Sequence, residues 1–158
     1  MSTTITSAKN EQRQAIVALL QSEKLPVEDL PASLDNFYVA LYEEEVIGAI
    51  GLEKYGNCGL LRSMVVNKEY RNKNAASQLV QELENHAIKT GIECMYLLTE
   101  TAPGYFERKS YQRIQREEVP LALHASSEFS HVCPVSAIVM KKELKKAKAE
   151  WANRSERG

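Results

Sequence analysis

The run RNKNAA, from Arg71 to Ala76, combines basic, amide and small side chains between an apolar segment and a segment with helical periodicity. This layout predicts a turn at a helix N-terminus, where backbone N–H groups point outward and the helix dipole adds partial positive charge. Such turns bind phosphate groups. Glycine is the usual loop residue because it allows positive φ, and Asn74 is the next best suited to a left-handed backbone. The residues alone leave two interpretations open, a phosphate-binding loop and an ordinary strand-to-helix turn.

Arg62 is the most informative charged residue, because it interrupts an otherwise mostly apolar strand, LLRSMVV. A guanidinium binds a carboxylate through two parallel hydrogen bonds, so Arg62 suggests a substrate with a negative group. A structural salt bridge to Glu53 or Glu128 is an equally supported interpretation. Exposure of the side chain to solvent is the third.

Further candidates lie at the end of a predicted strand and near the C-terminus. Thr99 ends the buried strand CMYLLTE, where the ligand clefts of α/β proteins open, so it could hydrogen-bond a substrate or cofactor. Glu128 could accept a proton through water, pair with an arginine, or lie exposed. Cys133 could be a reactive thiol, but a small buried residue is the simpler interpretation. The three histidines are weaker candidates for a base, and no spacing of potential ligands predicts a zinc or other metal site.

Composition places the chain among globular proteins. Its 158 residues are 44% hydrophobic and 26% charged, which fits one domain with a core of its own. No apolar stretch approaches the roughly 18 to 20 residues of a membrane span, and the N-terminus has no apolar signal-peptide region. Three widely spaced cysteines without a CxxC motif predict reduced thiols in a cytoplasmic protein.

Charge is distributed unevenly along the chain. Residues 141–158 contain seven Lys or Arg and three Glu, a charge of +4, against −5 for residues 1–140. A basic tail could contact nucleic acid or an acidic partner. A solvated terminal helix is the favoured interpretation, so neither a nucleic-acid nor a membrane partner is expected.

The apolar pattern predicts an α/β sheet with helices on its faces. The clearest helix is AASQLVQELENHAIKTG, in which Ala76, Leu79 and Leu83 share one face and Gly91 ends the helix. The other predicted elements are, in chain order, the strand TTIT, a helix from about Ala8 to Glu23, a hairpin in NFYVALYEEEVIGAIGLEKYG, the strands CGLLRSMVV and CMYLLTE, a short helix in PGYFERK, a weak strand in SYQRIQREE, a short helix from Pro120 and the final strand SAIVMKKEL.

The segment VVNKEYRNKNAASQLVQELENHA resembles the acetyl-CoA signature of the GNAT N-acetyltransferases. Their motif has Arg or Gln, two residues, Gly, one residue, then Gly or Ala, and Arg71, Asn74 and Ala76 take those places. TAPGYFERKSYQRI resembles the helix and strand that follow in that family. LLRSMVV, YLLTETAPGYFERKSYQRIQREEVP and SSEFSHVCPVSAIVMKKEL together resemble the arsenic-resistance N-acetyltransferase subfamily, which is similar to single-domain N-acetylglutamate synthases. The resemblance spans about residues 36–144.

The resemblance implies an α/β (α+β) GNAT fold, with a mixed central sheet of about six to seven strands flanked by helices. A splayed strand pair would form the acetyl-CoA site. One acetyltransferase domain would occupy residues 1–144, followed by a basic tail at residues 145–158. The resemblance also implies a set of cofactor-binding residues, which are Met64, Val65, Val66, Arg71, Asn72, Lys73, Asn74, Ala75, Ala76 and Phe106.

Two departures from the family pattern concern glycine positions. Asn74 stands where the motif has Gly, and Ser110 stands where a Gly usually precedes an aromatic residue. The family usually offers a Tyr as general acid four residues before that second position, where this chain has Phe106, which cannot donate a proton. A thiol with a pKa of about 8.5 leaves fairly well unprotonated, so activity does not require that acid. We expect Phe106 to pack against the pantetheine or the core.

The resemblance implies an N-acetyltransferase that uses acetyl-CoA without a metal. The acceptor would be a small amine, an amino acid or similar compound, with Arg62 and Cys133 at the substrate and Glu128 and Thr99 in catalysis. Arsenic resistance enters by family association only, and a homodimer is left open. The alternatives are a protein or peptide acetyltransferase and a non-catalytic module that senses acetyl-CoA.

Overall fold

A computed structural model describes residues 3–25, 27, 30–100, 102–126 and 137–144, without the side chains of residues 72, 73 and 125. It contains a mixed seven-stranded sheet in the order β1-β2-β3-β4-β5-β7-β6, with helices beside it. The strands are β1 Thr4–Ser7, β2 Phe37–Tyr42, β3 Glu45–Tyr55, β4 Cys58–Val66, β5 Cys94–Thr99, β6 Gln112–Ile114 and β7 Ile138–Glu143. The α-helices are α1 Arg13–Ser22, α2 Ala75–Lys89 and α3 Pro103–Arg108, and 3-10 turns cover Asn10–Gln12, Lys68–Lys73, Arg116–Glu118 and Leu121–Ala125.

The α/β class and the order of elements confirm the prediction from the apolar pattern. The first helix is shorter than the predicted span from Ala8 to Glu23. The Lys9 N–H donates to Gln12 Oε1 at 2.8 Å, so the chain enters through a 3-10 turn before α1 begins at Arg13. The short helix predicted from Pro120 is a 3-10 turn, Leu121–Ala125.

The first of two compact units comprises the described residues of Met1–Glu53 and Leu61–His86. Here β1, β2 and β3 form an antiparallel meander, with Ile5 opposite Ala40 and Val39 opposite Ala49. Apolar residues of α1 pack on this meander because they recur with helical spacing on one face. The buried core residues of this cluster are Ile16, Leu19, Leu20, Leu34, Phe37, Val39, Ala49 and Val65.

Two positions in the first unit are set by close packing. At Gly51, a Cβ atom would lie 2.5 Å from Cζ of Phe37, so only glycine leaves room for the ring. At Gly48, a Cβ would lie 3.0 Å from the Val65 carbonyl oxygen and 3.1 Å from Cδ1 of Leu79. The absence of a side chain at Gly48 therefore lets α2 and the end of β4 approach β3 closely.

The second compact unit comprises the described residues of Lys54–Leu60 and Ala87–Gly158. Cys58–Leu60 pair in parallel with Cys94–Tyr96, and β5 pairs antiparallel with β7. Strand β6 pairs with the other edge of β7. The buried core residues on one face of these strands are Cys58, Leu60, Tyr96, Val119, Leu123 and Val139. None of the helices in the described part of the chain is both long and apolar enough to cross a membrane.

Candidate active site

The turn between β4 and α2 places a left-handed residue directly before a helix N-terminus. Asn67 follows β4, and its Oδ1 accepts from the Glu69 N–H at 3.0 Å, which starts the 3-10 turn. Asn74 has φ 61° and ψ 13°, the left-handed conformation. Its carbonyl accepts the first intrahelical bond, from the Gln78 N–H at 3.0 Å. Asn74 thus has the left-handed backbone for which the sequence made it a suitable residue.

Small side chains follow this left-handed residue. Ala75 is fully buried and Ala76 is partly buried, so little side-chain bulk surrounds the first turn of α2. The N–H groups of these two alanines precede the first intrahelical bond of a 15-residue helix. Backbone donors at such a terminus, combined with the helix dipole, favour a phosphate oxygen. The residues present therefore fit a pyrophosphate group.

Arg71 is tied to the first helix. Its Nη2 donates to Glu23 Oε1 at 2.6 Å, and the Arg71 side chain remains 52% exposed. Glu23 is the C-terminal cap residue of α1, where a carboxylate is unfavourable because the helix dipole is negative there. The Arg71 guanidinium offsets the negative charge of Glu23. Only part of its positive charge therefore acts on the turn before α2. Asn72 and Lys73 lie in the same turn, but their side chains are outside the description.

Strand β4 departs from extended geometry three residues before its end. Ser63 has φ 55°, which is uncommon for a residue with a side chain and marks a local break in the strand. Met64 is half-buried, and Val65 and Val66 are buried. These three predicted cofactor-binding residues thus follow a backbone break that nothing in the sequence LLRSMVV signals.

Arg62 is buried in an ion pair. Its side chain is 3% exposed, and Nη1 donates to Glu53 Oε2 at 2.5 Å, while the Glu53 side chain is 18% exposed. Nε of Arg62 donates to Ser63 Oγ at 3.0 Å. Of the interpretations left open for Arg62, the salt bridge to Glu53 is present and exposure to solvent is wrong. The pair places the carboxylate, not the guanidinium, nearer to solvent.

A groove of about 610 Å³ is lined by residues of α1 and by the start of the 3-10 turn after β4. The groove is open to solvent, and its lining combines apolar residues with a hydroxyl, an amide and both signs of charge. Glu23, the partner of Arg71, belongs to the lining. The lining residues are Ala15, Ala18, Leu19, Ser22, Glu23, Val46, Asn67, Lys68 and Glu69.

Two of the predicted site residues lie in the described part of the second unit. Oγ1 of Thr99 accepts from the Ala102 N–H at 3.1 Å, so the hydroxyl fixes the turn after β5. Phe106 is 6% exposed, and its ring contacts the rings of Tyr105 and Tyr111 edge-on. Packing of Phe106 into the core is therefore confirmed, and contact with a cofactor stays a prediction.

Ser110 has φ 75° just beyond the end of α3. The N–H of Tyr111 donates to the Phe106 carbonyl at 3.0 Å, as in helix C-caps with a left-handed residue. Ser110 therefore takes the left-handed position directly after Lys109, the C-cap residue of α3.

The remaining candidates are Glu128, Cys133 and the three histidines. Glu128, Cys133 and His131 are outside the described residues. His86 lies within 3.2 Å of both the Tyr38 hydroxyl and Asn36 Oδ1, which orients it on the face of α2. Burial, and secondarily the Glu82 carboxylate, raises the pKa of Tyr38 despite a hydrogen bond from Ser7. Among the described residues, no group of three or more His, Cys, Asp or Glu side chains could hold a metal ion.

Comparison with known proteins agrees with this geometry. The acetyltransferase (GNAT) family matches residues 7–114. An uncharacterized N-acetyltransferase of Chlorobaculum tepidum is 32% identical over 61% of this chain and 63% of its own length. An amino-acid acetyltransferase of Aeromonas salmonicida is 24% identical over 60% of this chain and 22% of its own. The matched part thus spans less than two thirds of each of these relatives.

Solved structures show the same fold. The N-acetylglutamate synthase of Neisseria gonorrhoeae, in complex with coenzyme A and N-acetyl-glutamate, superposes with a TM-score of 0.79 at 14% identity, over 91% of this chain and 35% of that one. A Mycobacterium tuberculosis protein in complex with CoA superposes with a TM-score of 0.77 at 15% identity, over 89% of this chain and 98% of that one. The sheet, the helix after β4 and the family match agree, and this chain belongs to the GNAT acetyltransferase family.

Proposed function

We propose that this chain transfers the acetyl group of acetyl-CoA to the nitrogen of a small amine, an amino acid or amino-acid-like compound. The observation that carries the proposal is the left-handed Asn74 at the start of α2, directly after β4. This backbone suits a pyrophosphate although the family's glycine is missing. The C. tepidum and A. salmonicida relatives, both named acetyltransferases, support the reaction class.

In this proposal the cofactor is held mainly by backbone groups. The N–H groups of Ala75 and Ala76 would hold the pyrophosphate, with Arg71, Asn72, Lys73 and Asn74 around it. Backbone groups of Met64, Val65 and Val66 would hold the pantetheine, and Phe106 would pack beside it. When bound, acetyl-CoA supplies a thioester carbonyl, whose developing negative charge a backbone N–H of β4 would stabilise.

Few side chains are available to deprotonate the amine and to protonate the departing thiolate. The amine must lose a proton, and we assign Glu128, acting through water, with Thr99 as a hydrogen-bonding residue near the reaction. Phe106 cannot protonate the departing thiolate, but a thiol of pKa about 8.5 leaves without an acid. The rate should therefore depend on amine deprotonation more than on an enzyme acid.

We assign the acceptor's carboxylate to Arg62 and place Cys133 near the acceptor. The ion pair with Glu53 bears on this assignment, because an incoming carboxylate must share the Arg62 guanidinium. The N-acetyl-glutamate in the Neisseria structure supports an amino-acid acceptor only by likeness of fold. We further propose that residues 1–144 act without the tail at 145–158, in the cytoplasm and with no nucleic-acid partner.

The test is mass spectrometry of the purified protein with acetyl-CoA and a pool of amino acids, polyamines, short peptides and amino-acid-like toxicants. An acetylated amino acid supports the proposal. If only a peptide is acetylated, the acceptor is a protein or peptide and not an amino acid. If acetyl-CoA binds but no product forms, the protein is a sensor and not an enzyme. Leu121→Ser serves as a control variant, because Leu121 is 87% exposed on a 3-10 turn and has no role in the proposed mechanism.

A further inference from the structure

Two free thiols face each other across neighbouring strands of the second unit. Cys58 of β4 is the register partner of Cys94 in β5. Partners in a parallel pair project their side chains to the same face, and neighbouring strands lie about 4.8 Å apart. That spacing falls inside the range of about 4.4 to 6.8 Å between Cα atoms that a disulfide accepts. The Cα separation of such a pair is therefore compatible with a disulfide.

The surroundings distinguish the two thiols. Cys58 is 9% exposed, and its Sγ lies 3.6 Å from Asn57 Oδ1, whereas Cys94 is half-buried and more accessible. Burial, then the neighbouring Cys58 and Glu143, raises the pKa of Cys94 to about 11, and only Lys141 opposes this. Glu143 is the β7 partner of Cys94 and binds Nζ of Lys141 at 3.0 Å.

The pair is suited to two-sulfur chemistry. Within the described ranges no third His, Cys, Asp or Glu completes a metal-binding group with them. Neither cysteine belongs to the set of residues proposed to bind the cofactor. A function for it therefore has to come from the thiols themselves.

We propose that Cys58 and Cys94 form a reversible modification site, at which a low-molecular-weight disulfide of the glutathione type oxidises both thiols to a disulfide between β4 and β5. This inference is independent of the proposed acetyl transfer. It adds a two-electron reaction that neither the family match nor the relatives assign.

The reaction proceeds by two exchanges. The Cys94 thiolate attacks one sulfur of the small disulfide, and the bond between its two sulfurs breaks to release one small thiolate. The Cys58 thiolate then attacks Sγ of Cys94 in the mixed disulfide and releases the second small thiolate. Both released thiolates take up the protons that the cysteines lost, so the protein loses two hydrogens and the small disulfide is reduced to two thiols. Cys58 needs no access to solvent, because its target is the adjacent sulfur.

The test is intact-protein mass spectrometry without denaturant, in buffers with graded ratios of oxidised to reduced glutathione. A Cys133→Ser background removes the third cysteine. We expect the mass to fall by two hydrogens, and peptide mapping without reductant to find Cys58 joined to Cys94. The rate should rise about tenfold per pH unit from neutral pH toward the raised pKa of Cys94, because the thiolate is the attacking species. Added reduced glutathione should restore the original mass.

Two single variants order the steps. Cys58→Ser should accumulate a glutathione adduct on Cys94, and Cys94→Ser should gain neither an adduct nor a disulfide. No loss of two hydrogens at any ratio, or an adduct that survives on Cys94 with Cys58 intact, would overturn the proposal. Where a variant fails to fold, dibromobimane serves instead on the Cys133→Ser protein. It bridges two neighbouring thiols, and a fluorescent Cys58–Cys94 bridge supports the proposal, whereas singly alkylated protein contradicts it.

Discussion

The buried ion pair of Arg62 and Glu53 makes the sharpest prediction. Glu53→Leu leaves the Arg62 guanidinium, only 3% exposed, without its carboxylate. Removing one member of a buried ion pair lowers the free energy of unfolding by about 3–5 kcal/mol. Arg62→Met leaves Glu53, which is 18% exposed and can be hydrated, so we expect a smaller loss of about 1–3 kcal/mol. The asymmetry follows from which partner reaches solvent.

The double variant tests the reasoning. Arg62→Met combined with Glu53→Leu replaces the pair with apolar side chains of similar size, and such replacements are often neutral or stabilising. Urea denaturation of the wild type, both single variants and the double variant gives the coupling energy, and we expect the double variant to lose at least about 2 kcal/mol less than the sum of the two single losses. Additive losses, or a larger loss from Arg62→Met than from Glu53→Leu, would refute the argument from burial.

The same four proteins separate a structural role of Arg62 from a role in substrate binding. A charged hydrogen bond contributes about 1.5–3 kcal/mol, roughly 10- to 150-fold in KM for an acceptor with a carboxylate. The double variant should show that increase for an amino acid and little change for a decarboxylated amine of the same length. If KM changes equally for the amino acid and the decarboxylated amine, Arg62 has a structural role and does not bind the carboxylate.

Three further predictions concern the backbone. Asn74→Val should weaken acetyl-CoA binding in calorimetry by about tenfold, because a β-branched residue at φ 61° is strained by roughly 1–2 kcal/mol, whereas Asn74→Gly should bind normally; equal affinities would contradict this. Glu44→Gly should raise the free energy of unfolding by about 0.5–1 kcal/mol, because Glu44 has φ 70° in the β2–β3 turn, and Glu45→Gly in the strand should lower it instead. Gly51→Ala should destabilise the protein by about 1–3 kcal/mol in urea, because its Cβ would meet the Phe37 ring at 2.5 Å, while Gly104→Ala, whose Cβ has 3.7 Å, should not.

Much of the fold could be predicted from local patterns. The alternation of apolar residues placed β2, β3, β4 and β5, and the 3.6-residue period placed α2. The ends of helices were less accessible, since the 3-10 turn before α1 depends on a hydrogen bond from Lys9 to Gln12. The short 3-10 turn after Pro120 likewise has no period long enough to separate it from an α-helix.

The parts of the candidate site that could be predicted are those where the residue type itself favours a particular backbone conformation. Asn74 and Ser110 occupy left-handed positions that the motif assigned to glycine. Partners distant in sequence could not be predicted, as Arg71 with Glu23 shows, because their separation of 48 residues leaves no periodic signal. The positive φ of Ser63 is the clearest feature that could not be predicted, because serine has no conformational preference for a positive φ within a strand.

The glycine-free turn before α2 also affects how binding begins. A glycine at position 74 would let the unbound turn sample many backbone states, and a ligand would have to restrict all of them. Asn74 samples fewer states, so the turn is closer to its binding geometry before any ligand arrives. The same side chain brings its own bulk to the edge of the site. This turn therefore has less space for a ligand than a glycine-containing turn but is more preorganised. Binding of an anion should consequently cost less chain entropy than in a glycine-containing relative.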